Sequence, residues 1–389
     1  MTAKLAIRGA ELVDPEAGSV ESATLLVEDG RLAGRLAPDA ALGGDWRELS
    51  RPGCRVAPGF IDLHHHGELV AAAPEDFAAA LDRDAERMVA EGCTAFLATS
   101  VCWPGDALMA NVEALAEASA SGSGSGAACL GLHLEGPWIS PAAPGAMAPD
   151  AIAPFDARGA DVLDGAGEVL RMVTLAPEVE GADALLAELT RRGVLAALGH
   201  SRAEAADIDR ASERGLRHVT HLWNAMGPVH HREPGVAGHV LSREQLSCDL
   251  ICDGHHVHPD TVRFTARALG ERLVLITDRV EPGAGDSALG RARAGPDGAP
   301  WRRADGTLVG SQLGLADAVR NAGRFADLDL ARAVAAATLR PARLLGVENQ
   351  RGTLRDGARA DLVLLDAQGR AVETWLGGRP VWGDLADGA

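Results

Sequence analysis

Two short stretches decide the fold of this chain, Leu198-Gly199-His200-Ser201 and Thr220-His221-Leu222-Trp223-Asn224-Ala225-Met226. Each stretch continues a short apolar run and then presents a histidine. This arrangement is expected where imidazoles lie at the rim of a parallel barrel, at the carboxyl ends of its strands. The two stretches therefore predict a barrel that carries His200 and His221 at one rim.

Three further strand ends carry polar side chains in the same way. They are Asp62-Leu63-His64-His65-His66-Gly67, His133-Leu134-Glu135-Gly136-Pro137 and Leu273-Val274-Leu275-Ile276-Thr277-Asp278. Five strand ends thus present His, Glu or Asp, and a bound metal ion is the simplest explanation.

Composition limits the classes of function. The chain has 389 residues, 47% of them hydrophobic, which is enough for one large domain and an accessory one. The formal net charge of −18 argues against a nucleic-acid partner or an anionic membrane surface. No signal-peptide core or bilayer-spanning window is present. The six cysteines form no CxxC pair, which predicts reduced core residues in a cytoplasmic protein; metal binding by Cys248 and Cys252 is the weaker alternative.

The pattern of strand-like and helical runs predicts an α/β fold in two parts. Residues 58–349 are predicted to form a (β/α)₈ TIM barrel, and residues 1–57 and 350–389 together a small β-sandwich. An open doubly wound sheet is the alternative, but no Gly-rich fingerprint follows the first strand. The predicted barrel strands lie near residues 58–64, 93–99, 129–135, 171–177, 194–200, 217–222, 247–253 and 272–278.

Two segments interrupt this alternation. Ser121-Gly122-Ser123-Gly124-Ser125-Gly126 is typical of a flexible surface connection. Residues 280 to about 310, rich in Gly, Pro and Asp, are too long for a simple connection, which predicts a mobile flap over the site.

The run His64-His65-His66 has two interpretations. It could be a solvated turn, but it follows an apolar strand, whose alternation places His64 and His66 on one face and His65 on the other. Two imidazoles on one face at a barrel mouth can share a metal ion. We therefore expect His64 and His66, rather than His65, to be ligands.

Glu135 ends an apolar strand, where an unpaired carboxylate would be costly to desolvate. One carboxylate with two histidines is a common hydrolytic zinc set, which favours Glu135, His200 and His221 as ligands over two satisfied core histidines. His133 is either a further ligand or a packed neighbour. Asp278 is predicted as the general base that takes a proton from metal-bound water; a helix cap is its alternative.

The chain resembles the N-acetylglucosamine-6-phosphate deacetylase family of the amidohydrolase superfamily. The motifs occur in the order found in that family and cover most of the barrel. They are Pro58-Gly59-Phe60-Ile61-Asp62-Leu63-His64-His65-His66-Gly67, Gly131-Leu132-His133-Leu134-Glu135-Gly136-Pro137, Leu198-Gly199-His200-Ser201, Thr220-His221-Leu222-Trp223-Asn224-Ala225-Met226, His231-Arg232-Glu233-Pro234-Gly235, Asp253-Gly254-His255-His256-Val257 and Ile276-Thr277-Asp278.

The resemblance implies metal-dependent release of acetate from the N-acetyl amide of an amino sugar phosphate. It implies a main divalent ion on Glu135, His200 and His221, and a second ion on His64 and His66 where one is present. Zn²⁺ is the first choice, with Fe²⁺, Mn²⁺ or Co²⁺ as alternatives. Asp278 matches the catalytic aspartate of the family.

The same resemblance implies the substrate contacts. Asn224 and Ala225 match positions that contact the sugar, and His256 matches a histidine near the phosphate. Arg232 matches an arginine that reaches the phosphate in the neighbouring subunit, which implies a homodimer. A small-molecule substrate is thus the expected partner.

Two departures put the exact substrate in question. Met147, in Gly145-Ala146-Met147, stands where the family usually has a histidine that contacts the substrate, and methionine cannot donate the hydrogen bond. Arg279 replaces a small residue after the aspartate, where it either meets an anionic group or pairs with Glu281. N-acetylgalactosamine 6-phosphate, an unphosphorylated N-acetyl sugar, an N-acyl amino acid and a non-catalytic metal-binding scaffold remain alternatives.

Overall fold

The computed structural model describes residues 4–105, 107–122, 124, 126–282 and 287–383. Its strands in chain order are β1 Lys4–Arg8, β2 Glu11–Asp14, β3 Ser19–Ser22, β4 Thr24–Glu28, β5 Arg31–Leu36, β6 Arg47–Ser50, β7 Arg55–Pro58, β8 Phe60–Gly67, β9 Cys93–Thr99, β10 Ala128–Glu135, β11 Leu170–Leu175, β12 Leu195–Leu198, β13 Leu216–Val219, β14 Ser247–Ile251, β15 Leu273–Ile276, β16 Arg279–Val280, β17 Trp301–Arg302, β18 Leu308–Val309, β19 Leu362–Leu365, β20 Ala371–Leu376 and β21 Arg379–Gly383.

The α-helices alternate with the middle strands and follow them. They are α1 Phe77–Val89, α2 Ala107–Ala120, α3 Ala157–Ala166, α4 Ala182–Arg192, α5 Ala205–Glu213, α6 Gly235–Leu241, α7 Pro259–Leu269, α8 Leu315–Ala326, α9 Leu330–Ala337 and α10 Leu339–Leu345. Helix α1 buries Phe77, Leu81 and Met88, whose helical spacing forms one apolar face. Helix α9 begins where the Asp329 side chain accepts a hydrogen bond from the backbone N–H of Arg332.

A nine-stranded parallel sheet forms the centre of the molecule, in the order β15-β14-β13-β12-β11-β10-β9-β8-β16. The sheet curls, so that the two residues that follow β15 are hydrogen-bonded to β8. The Asp278 N–H donates to the His64 carbonyl at 2.9 Å, and the Thr277 hydroxyl donates to the Asp62 carboxylate at 2.6 Å. This topology is that of a TIM-like barrel. Its consecutive strand order contradicts the open doubly wound alternative, whose order reverses at a switch point.

All eight predicted barrel strands are present, as β8 to β15, but several ends differ. Strand β8 continues to Gly67, beyond the predicted residue 64. Strands β12, β13 and β15 end earlier than predicted, each two residues before His200, His221 or Asp278. The reason is backbone conformation, since these three residues have φ values of 47°, 32° and 49°, outside the β region.

Two further sheets are built from the chain termini. One has the order β5-β4-β1-β6, and the other, β21-β20-β19-β7-β2-β3, joins strands from both ends of the chain. Ile7 and Leu25 of the first sheet share an apolar core with Leu12, Leu362 and Trp375 of the second. The pairing agrees with a sandwich built from both termini.

The two interrupting segments are described only in part. Ser123 and Ser125 of the predicted flexible connection lie outside the described residues, and so do residues 283–286 of the predicted flap. The described part of the flap contains the antiparallel pair β17–β18. The six cysteines, all within the described residues, are free thiols. No helix in the described ranges is long and apolar enough to cross a bilayer.

Candidate active site

Strand β8 sends alternate histidines to opposite sides. The Nε2 atoms of His64 and His66 lie 3.1 Å apart, and each is 3.4 Å from Oδ1 of Asp278. His65 points the other way, where its ring meets Phe96 edge-on at a centroid distance of 5.8 Å. The alternation predicted from the sequence is therefore present, and only two of the three imidazoles reach the rim.

Glu135, at the end of β10, lies between two pairs of histidines. Its Oε1 atom is 2.8 Å from His221 Nε2 and 3.1 Å from His200 Nε2. Its Oε2 atom is 3.2 Å from His66 Nε2, and Oε1 is 3.6 Å from His64 Nε2. Two possible ligand sets result, His64 with His66 and Glu135, and Glu135 with His200 and His221, and in each set the atoms lie within 4.8 Å of one another.

Residues outside the two sets orient the rings. The Nδ1 atoms of His66 and His200 lie 3.1 Å and 3.0 Å from the carbonyl oxygens of Thr99 and Ala143. Donation from Nδ1 fixes the tautomer that leaves Nε2 as an acceptor, which is the form that binds metal. The positive φ of His200 and His221 turns both rings away from the strand direction and towards Glu135.

The electrostatics of this cluster favour a cation. Burial lowers the pKa of His66, but the carboxylates of Asp278 and Glu135 outweigh burial and raise that pKa to about 10. Burial acts in the same direction on His221, and Glu135 raises its pKa to about 9. The buried site therefore attracts positive charge at the Nε2 positions, and converging imidazoles around one carboxylate are a donor set that fits a divalent ion.

Asp278 is held in its anionic form. Burial raises the pKa of its carboxyl group, but the neighbouring His64 and His66 lower it below the ordinary value. Its Oδ1 atom faces the set of His64, His66 and Glu135 rather than a helix N-terminus. This position fits a proton acceptor and does not fit the helix-capping alternative.

His133 belongs to the support of the site. Its Nε2 atom lies 2.7 Å from the Thr174 hydroxyl and its Nδ1 atom 3.2 Å from the Leu63 carbonyl. Burial and the adjacent His64 lower the pKa of His133 well below its usual value. A neutral ring with both nitrogens engaged is a packed neighbour rather than a ligand.

A cavity of about 300 Å³ opens over the two ligand sets. It brings together Met147, Asn224, Ala225 and His256, four of the five residues predicted to contact substrate. The His256 Nδ1 lies 2.7 Å from Asp253 Oδ2, which leaves Nε2 for a ligand. The lining also includes residues of the predicted flap, namely Val280, Leu289, Thr307, Leu308 and Gly310.

Arg232 is not among the residues that line this cavity. It lies on an exposed turn where His230 and Glu233 exchange backbone hydrogen bonds, and its guanidinium is 2.8 Å from His231 Nε2. The geometry within one chain therefore gives Arg232 no contact with the site below it. A role in a neighbouring subunit stays a prediction.

A family model described as "Amidohydrolase family" matches residues 55–381. The chain belongs to the amidohydrolase family. It is 35% identical to N-acetylgalactosamine-6-phosphate deacetylase of Escherichia coli O157:H7, over 83% of this chain and 87% of that protein. It is 34% identical to N-acetylglucosamine-6-phosphate deacetylase of Bos taurus, over 97% and 90%. The predicted resemblance is confirmed, and the protein is a metal-dependent amidohydrolase.

A solved structure extends this likeness to the fold of the amidohydrolase. It is a variant of N-acetyl-D-glucosamine-6-phosphate deacetylase from Mycobacterium smegmatis, in complex with N-acetyl-D-glucosamine 6-phosphate. The two proteins superpose with a TM-score of 0.85 at 31% identity, over 98% of this chain and 99% of the other. This chain and the Mycobacterium smegmatis protein are thus similar in both fold and sequence over nearly the whole length of this chain.

The two departures from the family pattern have different surroundings in this amidohydrolase. Met147 is buried at the cavity, and its Sδ atom lies 3.5 Å from the backbone nitrogen of Cys102. Arg279 turns away from the cavity and pairs with Glu281 at 2.9 Å, one of the two alternatives for it, and also with Glu91 at 2.5 Å. Only Met147 can therefore touch a substrate directly.

Asp249, which the sequence reasoning missed, supports the site from below. Its carboxylate accepts a hydrogen bond from the His221 backbone N–H and lies 3.1 Å from His218 Nε2. The signal was present in the sequence, since Asp249 is a charged residue inside the apolar strand β14 and is fully buried. A buried carboxylate requires partners, and here one partner is the peptide of a candidate ligand.

Proposed function

We propose that this amidohydrolase cleaves the N-acetyl amide of N-acetylglucosamine 6-phosphate to give glucosamine 6-phosphate and acetate. The observation that carries the proposal is Glu135 between two histidine pairs, with the anionic Asp278 beside them at the floor of the cavity. The names of the bovine relative and of the Mycobacterium smegmatis complex support the choice of substrate.

We assign Glu135, His200 and His221 as the residues that would hold the main divalent ion, and His64 and His66 as those that would hold a second ion where one is present. Zn²⁺ is the first choice because nitrogen and carboxylate donors suit it, and Fe²⁺, Mn²⁺ and Co²⁺ are the alternatives. When bound, such an ion lowers the pKa of water and polarises the acetyl carbonyl.

The residues of the chain then have separate tasks in this proposal. Oδ1 of Asp278 accepts a proton from the attacking water and returns it to the amine nitrogen as the C–N bond breaks. Asn224 and the backbone of Ala225 orient the sugar, and His256 Nε2 contacts the substrate near its phosphate. The cavity limits bulk water around these groups, which strengthens each polar contact.

The larger organisation is proposed on the same basis. We take the curled sheet to be a closed (β/α)₈ barrel over residues 58–349, and residues 1–57 and 350–389 to be the small β-sandwich domain. We expect a homodimer in the cytoplasm, with Arg232 reaching the phosphate in the partner's site. The exposed turn of Arg232 and the six free thiols support these assignments.

N-acetylgalactosamine 6-phosphate is a second candidate substrate, because the Escherichia coli relative bears that name at 35% identity. An assay of amine release on both phosphates, on N-acetylglucosamine and on an N-acyl amino acid separates the candidates. Metal content is measured on the same protein. We expect the highest kcat/KM for N-acetylglucosamine 6-phosphate. A metal-loaded protein that hydrolyses neither phosphorylated sugar contradicts the proposal and favours a non-catalytic scaffold.

A further inference from the structure

Two residues without a task in the proposed reaction lie on the same side of the sheet. They are His65, the middle residue of the histidine run, and Arg279, which follows Asp278. They are directly opposite each other in the parallel pairing of β16 with β8. Both side chains point away from the cavity, towards helix α1 and the turn that follows it.

Arg279 lies in a connected set of charged side chains at this place, which we call the outer ion cluster. Its guanidinium binds Glu91 at 2.5 Å and Glu281 at 2.9 Å. Arg87 lies 3.7 Å from the same Glu281 and binds Asp84 at 2.8 Å. The cluster therefore joins the residue after Asp278 to α1 and to the α1–β9 turn.

The central members of the cluster are shielded from water. The Arg279 side chain is 15% exposed and that of Asp84 is fully buried, whereas Arg191 in a surface pair is 66% exposed. An arginine fork that holds two carboxylates at once is geometrically restrictive. Removing it takes an arginine partner from Glu91 and Glu281, whose side chains are only 27% and 26% exposed. The pairing of Arg279 thus constrains the backbone far more than a surface ion pair would.

The backbone around Asp278 is fixed on both sides. Asp278 has a φ of 49°, and its N–H donates to His64 while its carbonyl accepts from the Ser311 N–H at 2.8 Å. The preceding residue, Thr277, is tied to Asp62, and the following one, Arg279, is tied to the outer ion cluster. A strained conformation of this kind persists only where its neighbours over-determine it.

We propose that Arg279 is a positioning residue, which holds the Asp278 carboxylate in register with His64, His66 and Glu135 by anchoring the next peptide to Glu91 and Glu281. The inference rests on the proposed role of Asp278. Arg279, which departs from the family pattern, then acts in catalysis rather than in the choice of substrate. Proton transfer depends on sub-ångström placement, so loss of the anchor slows the reaction without removing any group that touches the substrate.

The test compares the metal-loaded wild-type chain with Arg279→Met, Arg279→Lys and the matched control Arg83→Met. The Arg83 side chain is 53% exposed and binds Glu68, which also binds Arg87. We expect kcat of Arg279→Met to fall by about 10- to 100-fold, with KM within about threefold of wild type and metal content unchanged. Arg279→Lys should recover part of kcat, and Arg83→Met should behave as wild type.

Glu91→Gln keeps the inference testable if Arg279→Met fails to fold, because it weakens the same anchor while Glu281 still binds Arg279. It should lower kcat and leave KM in place. Wild-type kcat in folded Arg279→Met, or an equal loss in Arg83→Met, overturns the positioning role. If the wild-type chain releases no amine at all, the proposed function fails instead. A crystal structure of Arg279→Met then decides the positioning role, which is overturned if the 3.4 Å distance from Asp278 Oδ1 to His66 Nε2 is unchanged.

Discussion

The two sides of strand β8 use the same residue type in opposite ways. On the inner side, His64 and His66 meet Glu135 and Asp278 with their Nε2 atoms crowded within 3.1 to 3.6 Å. On the outer side, His65 Nε2 is 3.9 Å from Asp84, which pairs with Arg87, and His65 Nδ1 is 4.0 Å from Asp62, which accepts a hydrogen bond from Thr277. On the inner side imidazoles face the carboxylates of Glu135 and Asp278, whereas on the outer side the carboxylates of Asp84, Glu91 and Glu281 pair with arginines.

This difference separates a binding site from a scaffold. Crowded acceptors around one carboxylate are stable only with protons or a metal ion between them, so the inner side is built for a ligand. Charges that already have partners at short distance need no bound ligand, and they restrict the conformation of the backbone instead. Four experiments test this contrast.

Replacing the proton acceptor should have the largest effect. Asp278→Asn keeps the shape of the side chain but removes its basicity, so we expect kcat to fall by about 10²- to 10⁴-fold. Metal content should remain near that of wild type, as measured by atomic emission on the purified protein. Wild-type activity in this variant would remove Asp278 from the mechanism.

His65 and His66 allow the two sides of β8 to be compared directly. His66→Asn removes an inner donor. Changes to residues that only support a metal ligand typically lower metal affinity by about 10- to 100-fold, so we expect a larger loss here. His65→Asn should leave metal content unchanged and lower the free energy of unfolding by about 0.5–3 kcal/mol. Competition with a chelator measures the first quantity, and denaturant titration measures the second. Equal metal loss in both variants would contradict the division of β8 into two sides.

Removal of the metal should destabilise the inner side in particular. A chelated protein should lose activity, and at a metal concentration of 100 Kd the bound ion adds about 2.7 kcal/mol to stability. Calorimetry with and without added Zn²⁺ gives the difference, and the His65→Asn variant should show the same increment. A melting temperature that does not respond to metal would argue against an ion at Glu135.

The smallest expected effect concerns the mouth of the cavity. Met147→His restores a donor at the family position, and one added hydrogen bond of about 0.5–1.5 kcal/mol should lower KM by about 2- to 10-fold. Steady-state kinetics on both sugar phosphates would show whether the gain is selective. An unchanged KM would mean that another group already makes this contact.

Much of the site was predictable from local patterns. Alternation in β8 separates His64 and His66 from His65, and a carboxylate at the end of an apolar strand marked Glu135. The strand ends at His200, His221 and Asp278 were less predictable, because a positive φ at a non-glycine residue leaves no mark in an apolar run. Asp249 was overlooked for the opposite reason, since its partner, the His221 peptide, is 28 residues away in the chain.

Residue type and spacing determine which side chains can belong to the site, because the side-chain period of a strand and the burial preference of a residue are local properties of the chain. They were sufficient for the strand order, the candidate ligands and the family resemblance. The convergence of four imidazoles on one carboxylate depends on the curl of the sheet, and the choice of Glu91 as partner for Arg279 joins residues 188 positions apart. Such contacts are decided by packing, which brings distant strand ends to one rim and excludes the water that would otherwise separate their charges.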